Sequence, residues 1–317
     1  MLTLPSRRRP DAFVRRILAR SVPALCALAL IAPAGAATTI LFVGNSYTYG
    51  EPAGAAPTVM RFRPDTVTDL NGTGIGGVPA LFKAMTVEAG LDYQVSLETA
   101  GGKGVDFHYD HRRPVILGKY DKVLLQSYST LDAAAPGNPA TLIKYSGLLA
   151  KEFRAINPGV EVMLESTWSR ADLVYRGASA WRGKPISQMA LDVRCGYDAA
   201  AAASPLIARV IPVGESWNRA IASGLADPDP YDGIGAGQID LWAPDRYHAS
   251  PYGYYLAALT IFGSVTGKDP AMFGAADPIA RELGIDGAVA SALQRHAAAQ
   301  LTAEKQRPAG SGCATAG

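Results

Sequence analysis

The 317-residue sequence is 48% apolar and 18% charged, enough apolar material for a full core and too much for wholesale disorder. Its formal charge of +2 comes from the first 36 residues, where six Arg stand against one Asp; the remainder holds 24 basic and 27 acidic residues, a net charge of −3. A chain of that balance has no basic footprint for nucleic acid or for an anionic membrane surface.

The N-terminus is laid out as a secretion signal. Arg7, Arg8, Arg9, Arg15, Arg16 and Arg20 make a basic stretch, and Val22 to Ala32 a short apolar one. Ala34-Gly35-Ala36 then supplies the small residues that a signal peptidase accepts. Cleavage is expected after Ala36, giving a periplasmic or secreted protein without stable membrane insertion, because the apolar run is too short for a retained anchor. Cys195 and Cys313 remain after cleavage, and an oxidising compartment permits a bridge between them. Cys313 sits in a Gly/Ala-rich tail, residues 304–317, that reads as disordered.

The mature chain alternates strand-like and helix-like segments. Thr38 to Val43 is a β-rich apolar run closed by Gly44, and 51–77 is a Gly/Pro-rich connection long enough to be a functional loop. Val78 to Ala89 has helical periodicity and stops at Gly90. A strand at Tyr93–Glu98, a Gly-rich turn at Ala100–Gly104 and a strand at Lys122–Gln126 come next. A helix from about Pro139 to Ile156 ends at Asn157-Pro158-Gly159 and leads to a strand at Val160–Glu165. A helix at Ile186–Ala203, a strand at Arg209–Val213 and a helix at Glu215–Leu225 follow; residues 226–247 read as loop, and helices near Tyr252–Thr266 and Pro278–Thr302 close the chain. Five strands joined by helical crossovers predict a mainly parallel five-stranded sheet in a three-layer α/β/α sandwich, one domain over 37–303.

In an open parallel sheet, ligands bind at the carboxyl ends of the strands. Ser46 follows the first strand, Gly101-Gly102 the second, Gln126 the third and Glu165 the fourth, and Asp245-Arg246-Tyr247-His248 precedes the penultimate helix. A serine hydroxyl needs an adjacent base, which His248 provides, and Asp245 three residues earlier can hold the imidazole in one tautomer. The N–H groups of Ser46 and Gly102 and the side-chain amide of Gln126 are the expected donors to an oxyanion. Asn45, His108, Glu165 and Trp168 are the expected substrate contacts. His108 and His111 lack the spacing of a helical zinc motif, so no metal or organic cofactor is expected.

These residues resemble the SGNH (GDSL-like) hydrolase superfamily, in which a near-N-terminal G-D-S block carries the nucleophile and a C-terminal D-x-x-H holds the base. Here the blocks read Gly44-Asn45-Ser46 and Asp245-Arg246-Tyr247-His248, with Gly101-Gly102-Lys103-Gly104 similar to the family's glycine block. Ile211-Pro212-Val213-Gly214 with Trp217 is similar to a segment of the subgroup whose first block is G-N-S. The likeness runs from about Thr38 to Gly267 and implies an SGNH/flavodoxin-like sheet. Asn45 stands where the family usually has Asp, and no G-x-N-D block follows the third strand; Gln126 occupies the place of its Asn. The resemblance implies an exported serine esterase acting on a small ester or an O-acylated carbohydrate. An O-acetyltransferase using the same triad and a catalytically silent carbohydrate-binding scaffold are the alternatives.

Overall fold

The computed structural model describes residues 1–4, 36–52 and 58–307. It has two units, Met1–Ala36 and Ala37–Gly317, and the sheet belongs to the second. The secretion signal expected over 1–36 falls almost wholly outside the described residues, as does Cys313, whose bridge to Cys195 the sequence permits without requiring; Cys195 itself is disulfide-bonded.

Six parallel strands form one sheet: β1 (Thr38–Gly44), β2 (Thr68–Asp69), β3 (Tyr93–Thr99), β4 (Lys122–Leu125), β5 (Glu161–Ser166) and β6 (Ile207–Pro212), in the order β2-β3-β1-β4-β5-β6. The expected sheet thus has one strand more than five. The addition is β2, which pairs Thr68 with Ser96 and Asp69 with Leu97 inside the connection read as loop. Two residues cannot carry a legible alternation.

β1 lies at the centre, with Ile40, Leu41, Phe42 and Val43 buried between both helical layers, which explains its unbroken apolar run. From β1 the chain first builds towards β3 and then returns past it to add β4, β5 and β6. The sheet order therefore reverses beside β1, the position at which open parallel sheets bind ligands at the carboxyl ends of their strands.

The covering helices are α1 (Ser46–Tyr49), α2 (Gly77–Glu88), α3 (Val105–Phe107), α4 (Arg113–Ile116), α5 (Ala140–Ile156), α6 (Ile186–Ala203), α7 (Val213–Ala222), α8 (Pro251–Thr266), α9 (Pro278–Glu282) and α10 (Gly287–Lys305). The single helix expected over Pro278–Thr302 is two, broken at Gly284, whose φ of 73° ends α9. α10 runs two residues into the segment read as a disordered tail. Its last turn is fixed because the Glu304 carboxylate pairs with Arg194, which also holds Asp198 and Glu215. A π-helical turn at His108–Arg112 joins α3 to α4. Among the described residues no helix is long and apolar enough to cross a membrane.

Candidate active site

Ser46 is the first residue of α1, immediately beyond β1. Its turn is built by side chains that satisfy buried backbone groups. Asn45 caps α1, its Oδ1 accepting from Tyr47 N at 3.1 Å while its Nδ2 donates to the carbonyls of Lys103 (2.8 Å) and Ser127 (3.1 Å). Gly44 must lack a side chain, since a Cβ there would stand 2.1 Å from Thr48 Oγ1 and 2.8 Å from Gln126 Oε1. Ser46 N–H is among the amides that a helix start leaves without an intrahelical acceptor.

The Asp245–His248 segment forms a tight turn before α8. Arg246 adopts a left-handed conformation (φ 58°), and Asp245 Oδ1 accepts from the backbone N–H of Tyr247 and His248 at 3.0 and 2.9 Å. Asp245 Oδ2 stands 2.6 Å from His248 Nδ1. Burial alone would raise the Asp245 carboxyl, but the His248 ring and these two N–H groups outweigh it and hold it below its ordinary value. His248 Nε2 is buried and has no hydrogen-bond partner among the described residues. The His–Asp link is closed in this structure and the Ser–His link is open.

Aromatic groups dock this turn onto α1, the helix that begins at Ser46. The Tyr247 carbonyl accepts from Tyr47 Oη (3.2 Å) and from Trp168 Nε1 (3.3 Å). The Tyr47 ring stacks on Trp168 at 4.0 Å and lies 5.9 Å from the His248 ring. From α8, Tyr254 Oη donates to the Ser46 carbonyl at 3.3 Å. Tyr47 and Tyr254 have no sequence signal that separates them from ordinary core aromatics. Their docking role rests on hydroxyls that meet carbonyls distant in sequence.

Gly102 is exposed on the turn after β3, with φ of 68° and open space where a side chain would be. It and Ser46 are the two expected oxyanion donors on the backbone. Gln126 is different. Its Oε1 accepts from Asn45 N (2.9 Å) and Thr48 Oγ1 (3.1 Å), its Nε2 donates to the Ser127 carbonyl, and the residue is 1% exposed. Its amide is committed to the underside of the Ser46 turn, through Asn45, Thr48 and Ser127, in place of the expected oxyanion.

The four expected substrate contacts are also turned inward. Asn45 is bound up in the cap and its two carbonyl acceptors. Trp168 is fully buried between Tyr47 and Trp217, the latter 4.7 Å away and nearly parallel. His108 is fully buried beneath the turn, its Nε2 3.0 Å from the Gly44 carbonyl. Glu165 is buried in the sheet, and burial pushes its carboxyl up to about 8. Polar residues at strand ends face either the cleft or the core, and here packing chose the core. Among the described residues, no group of three His, Cys, Asp or Glu is placed to hold a metal ion.

No family model and no curated protein matches the sequence. Solved structures do match it. A DUF4886 family protein from Bacteroides uniformis is 18% identical with a TM-score of 0.55, covering 84% of this chain and 95% of that one. A protein described as a GDSL-like lipase, from Parabacteroides merdae, is 17% identical with a TM-score of 0.51, covering 73% and 95%. LAE5, described as an alpha/beta hydrolase enzyme from the metagenome of Lake Arreo, is 15% identical with a TM-score of 0.50, again covering 73% and 95%. The chain has the SGNH (GDSL-like) hydrolase fold, a three-layer α/β/α sandwich. At these identities the likeness defines the fold and does not carry a substrate across.

Glu165 yields a stability test. With its folded pKa raised, the native state binds more protons than the unfolded chain between the ordinary carboxylate value and about 8, so stability falls as pH rises through that window. Glu165→Gln should remove this dependence. Its unfolding free energy relative to wild type should climb from pH 5 to pH 8, with a slope of at most about 1.4 kcal/mol per pH unit, and its melting temperature should climb with it. Parallel melting curves across that range would contradict the buried, protonated carboxyl.

Proposed function

We propose that the protein is an exported serine esterase that hydrolyses carboxylic esters through Ser46, His248 and Asp245. The observation that carries this reading is the docking of the Asp245–His248 turn, through the Tyr247 carbonyl, onto the helix that begins at Ser46. The fold shared with a protein described as a GDSL-like lipase supports ester chemistry.

In this mechanism Ser46 Oγ attacks the acyl carbonyl and its proton passes to His248 Nε2. Asp245 keeps the other ring N–H oriented and stabilises the imidazolium. The oxyanion is met by the N–H groups of Ser46 and Gly102. His248 then protonates the departing alcohol, and water activated by the same ring releases the acid and restores Ser46. With Gln126 turned inward, the hole operates on backbone donors. The exposed Gly101-Gly102 turn beside Ser46 favours a substrate presented on an accessible surface, and we assign O-acyl groups on a polysaccharide or glycoconjugate as its class.

Turnover of p-nitrophenyl acetate tests the mechanism. Ser46→Ala and His248→Ala should each lower kcat by roughly 10³-fold or more. Equal turnover by all three proteins would contradict the triad, and no turnover by wild type would favour a silent binding scaffold. Product analysis with an acyl donor and an oligosaccharide separates the acceptors: free acid supports hydrolysis, acylated sugar an O-acetyltransferase. Export is supported by the basic, apolar and small-residue succession of residues 1–36. Mass spectrometry of protein recovered outside the cytoplasm should give Ala37 as the first residue, and a chain still beginning at Met1 would count against cleavage.

A further inference from the structure

The Gly44 carbonyl is the last acceptor of β1 before Asn45 and Ser46, and it has two donors. Ala100 N, at the head of the glycine turn, donates to it at 3.0 Å, and His108 Nε2 stands 3.0 Å from it. A carbonyl can only accept, so His108 Nε2 carries a hydrogen and the ring is the donor. The other ring nitrogen is 2.5 Å from Glu98 Oε2, and Glu98 Oε1 accepts from Arg112 Nε at 2.8 Å. Arg112 in turn donates to the side chain of Asn71, whose Nδ2 donates to the Thr99 carbonyl at 2.8 Å. His108 and Glu98 are respectively 0% and 1% exposed. Burying an imidazole and a carboxylate together carries a desolvation cost that the contacts to the Gly44 carbonyl and to Arg112 must offset.

We propose that His108, held by Glu98, is a positioning residue for the esterase reaction: it fixes the Gly44 peptide and thereby the orientation of Ser46 and its N–H against the glycine turn. The inference rests on the reading of Ser46 as nucleophile. The geometry that favours it is the single oxygen shared by three elements: the end of β1, the start of the glycine turn through Ala100, and the π turn that carries His108. Rotation of the Gly44 peptide would move the donors at Ser46 and Gly102 relative to each other. A misplacement of about 1 Å at such a site costs on the order of 10²-fold in rate.

The test compares His108→Gln with His108→Asn in the full chain, by p-nitrophenyl acetate kinetics and by amide hydrogen exchange in peptides spanning residues 44–47. Both variants are neutral, and only the Asn amide, at the Nδ1 position, can still donate to Glu98, so a role confined to the buried His108–Glu98 pair would spare the Asn variant rather than the Gln variant. Only Gln reaches far enough to donate to the Gly44 carbonyl in place of Nε2; the Asn amide ends near the Nδ1 position. The Gln variant should keep kcat within about 5-fold of wild type, whereas the Asn variant should lose about 30-fold or more with KM changed less than about 3-fold. Exchange at the turn should quicken only in the Asn variant. Equal kcat in the two, or quickened exchange without loss of kcat, overturns the proposal. Glu98→Gln covers the case in which the Asn variant does not fold: it leaves His108 in place but less firmly held, so kcat should fall about 3- to 10-fold, and a wild-type kcat overturns the proposal. Absence of turnover in the wild type would sink the esterase reading instead. The exchange arm then decides positioning alone, equal exchange in both variants overturning it.

Discussion

A strand that ends in the middle of a covered sheet leaves peptide groups where water does not reach, and each must find a partner inside the protein. β1 ends this way, between β3 and β4 with helices over both faces. At that point the chain must also turn sharply into α1. Gln126, Asn45 and His108 all act on this one problem, satisfying the Asn45 N–H and the carbonyls of Gly44, Lys103 and Ser127, while the Thr48 hydroxyl donates to the Gln126 amide oxygen and holds it in place. The position of Ser46 is a consequence of that solution. Ser46, itself 4% exposed, is held by the hydrogen bonds beneath this turn.

The same constraint explains which expectations from sequence were met and which were corrected. The helix at Ile186–Ala203 and the strands beside it were legible because long periodic or unbroken apolar segments leave few alternatives. Ser46, Gly102, Asp245 and His248 were legible as residues at loops and strand ends. Gln126, His108, Glu165 and Trp168 occupy equally suggestive positions, yet their side chains point into the protein. Whether a polar side chain at a strand end faces cleft or core depends on the twist of the strand and on which buried backbone groups need a partner. Neither can be read from a single segment. The π turn at His108–Arg112 is a related case, since Asp106, His108, Asp110 and His111 mask the helical period.

The Asp245–His248 turn has a second, separate support. The Tyr247 carbonyl receives a hydroxyl from α1 and an indole N–H from the loop after β5, so the D-x-x-H turn is fastened to both sides of the cleft. Arg170 stacks over the Tyr247 ring at 3.7 Å, and that ring lies 4.0 Å from the His248 ring. Cation, phenol and imidazole thus form a packed column over the turn, restraining the ring whose Nδ1 meets Asp245. Core and turn share these residues, so loss of Tyr47 or Trp168 would loosen the core and the Asp245–His248 turn together.

The central claim is that Ser46 is a nucleophile poised by this scaffold. A fluorophosphonate probe tests it without assuming a substrate, because Oγ forms a bond to phosphorus only as fluoride leaves. Peptide mapping of the folded protein after labelling should find one adduct, on Ser46, that is absent when the protein is unfolded before the probe is added. An adduct on a different residue, or none on the folded protein, would contradict the account.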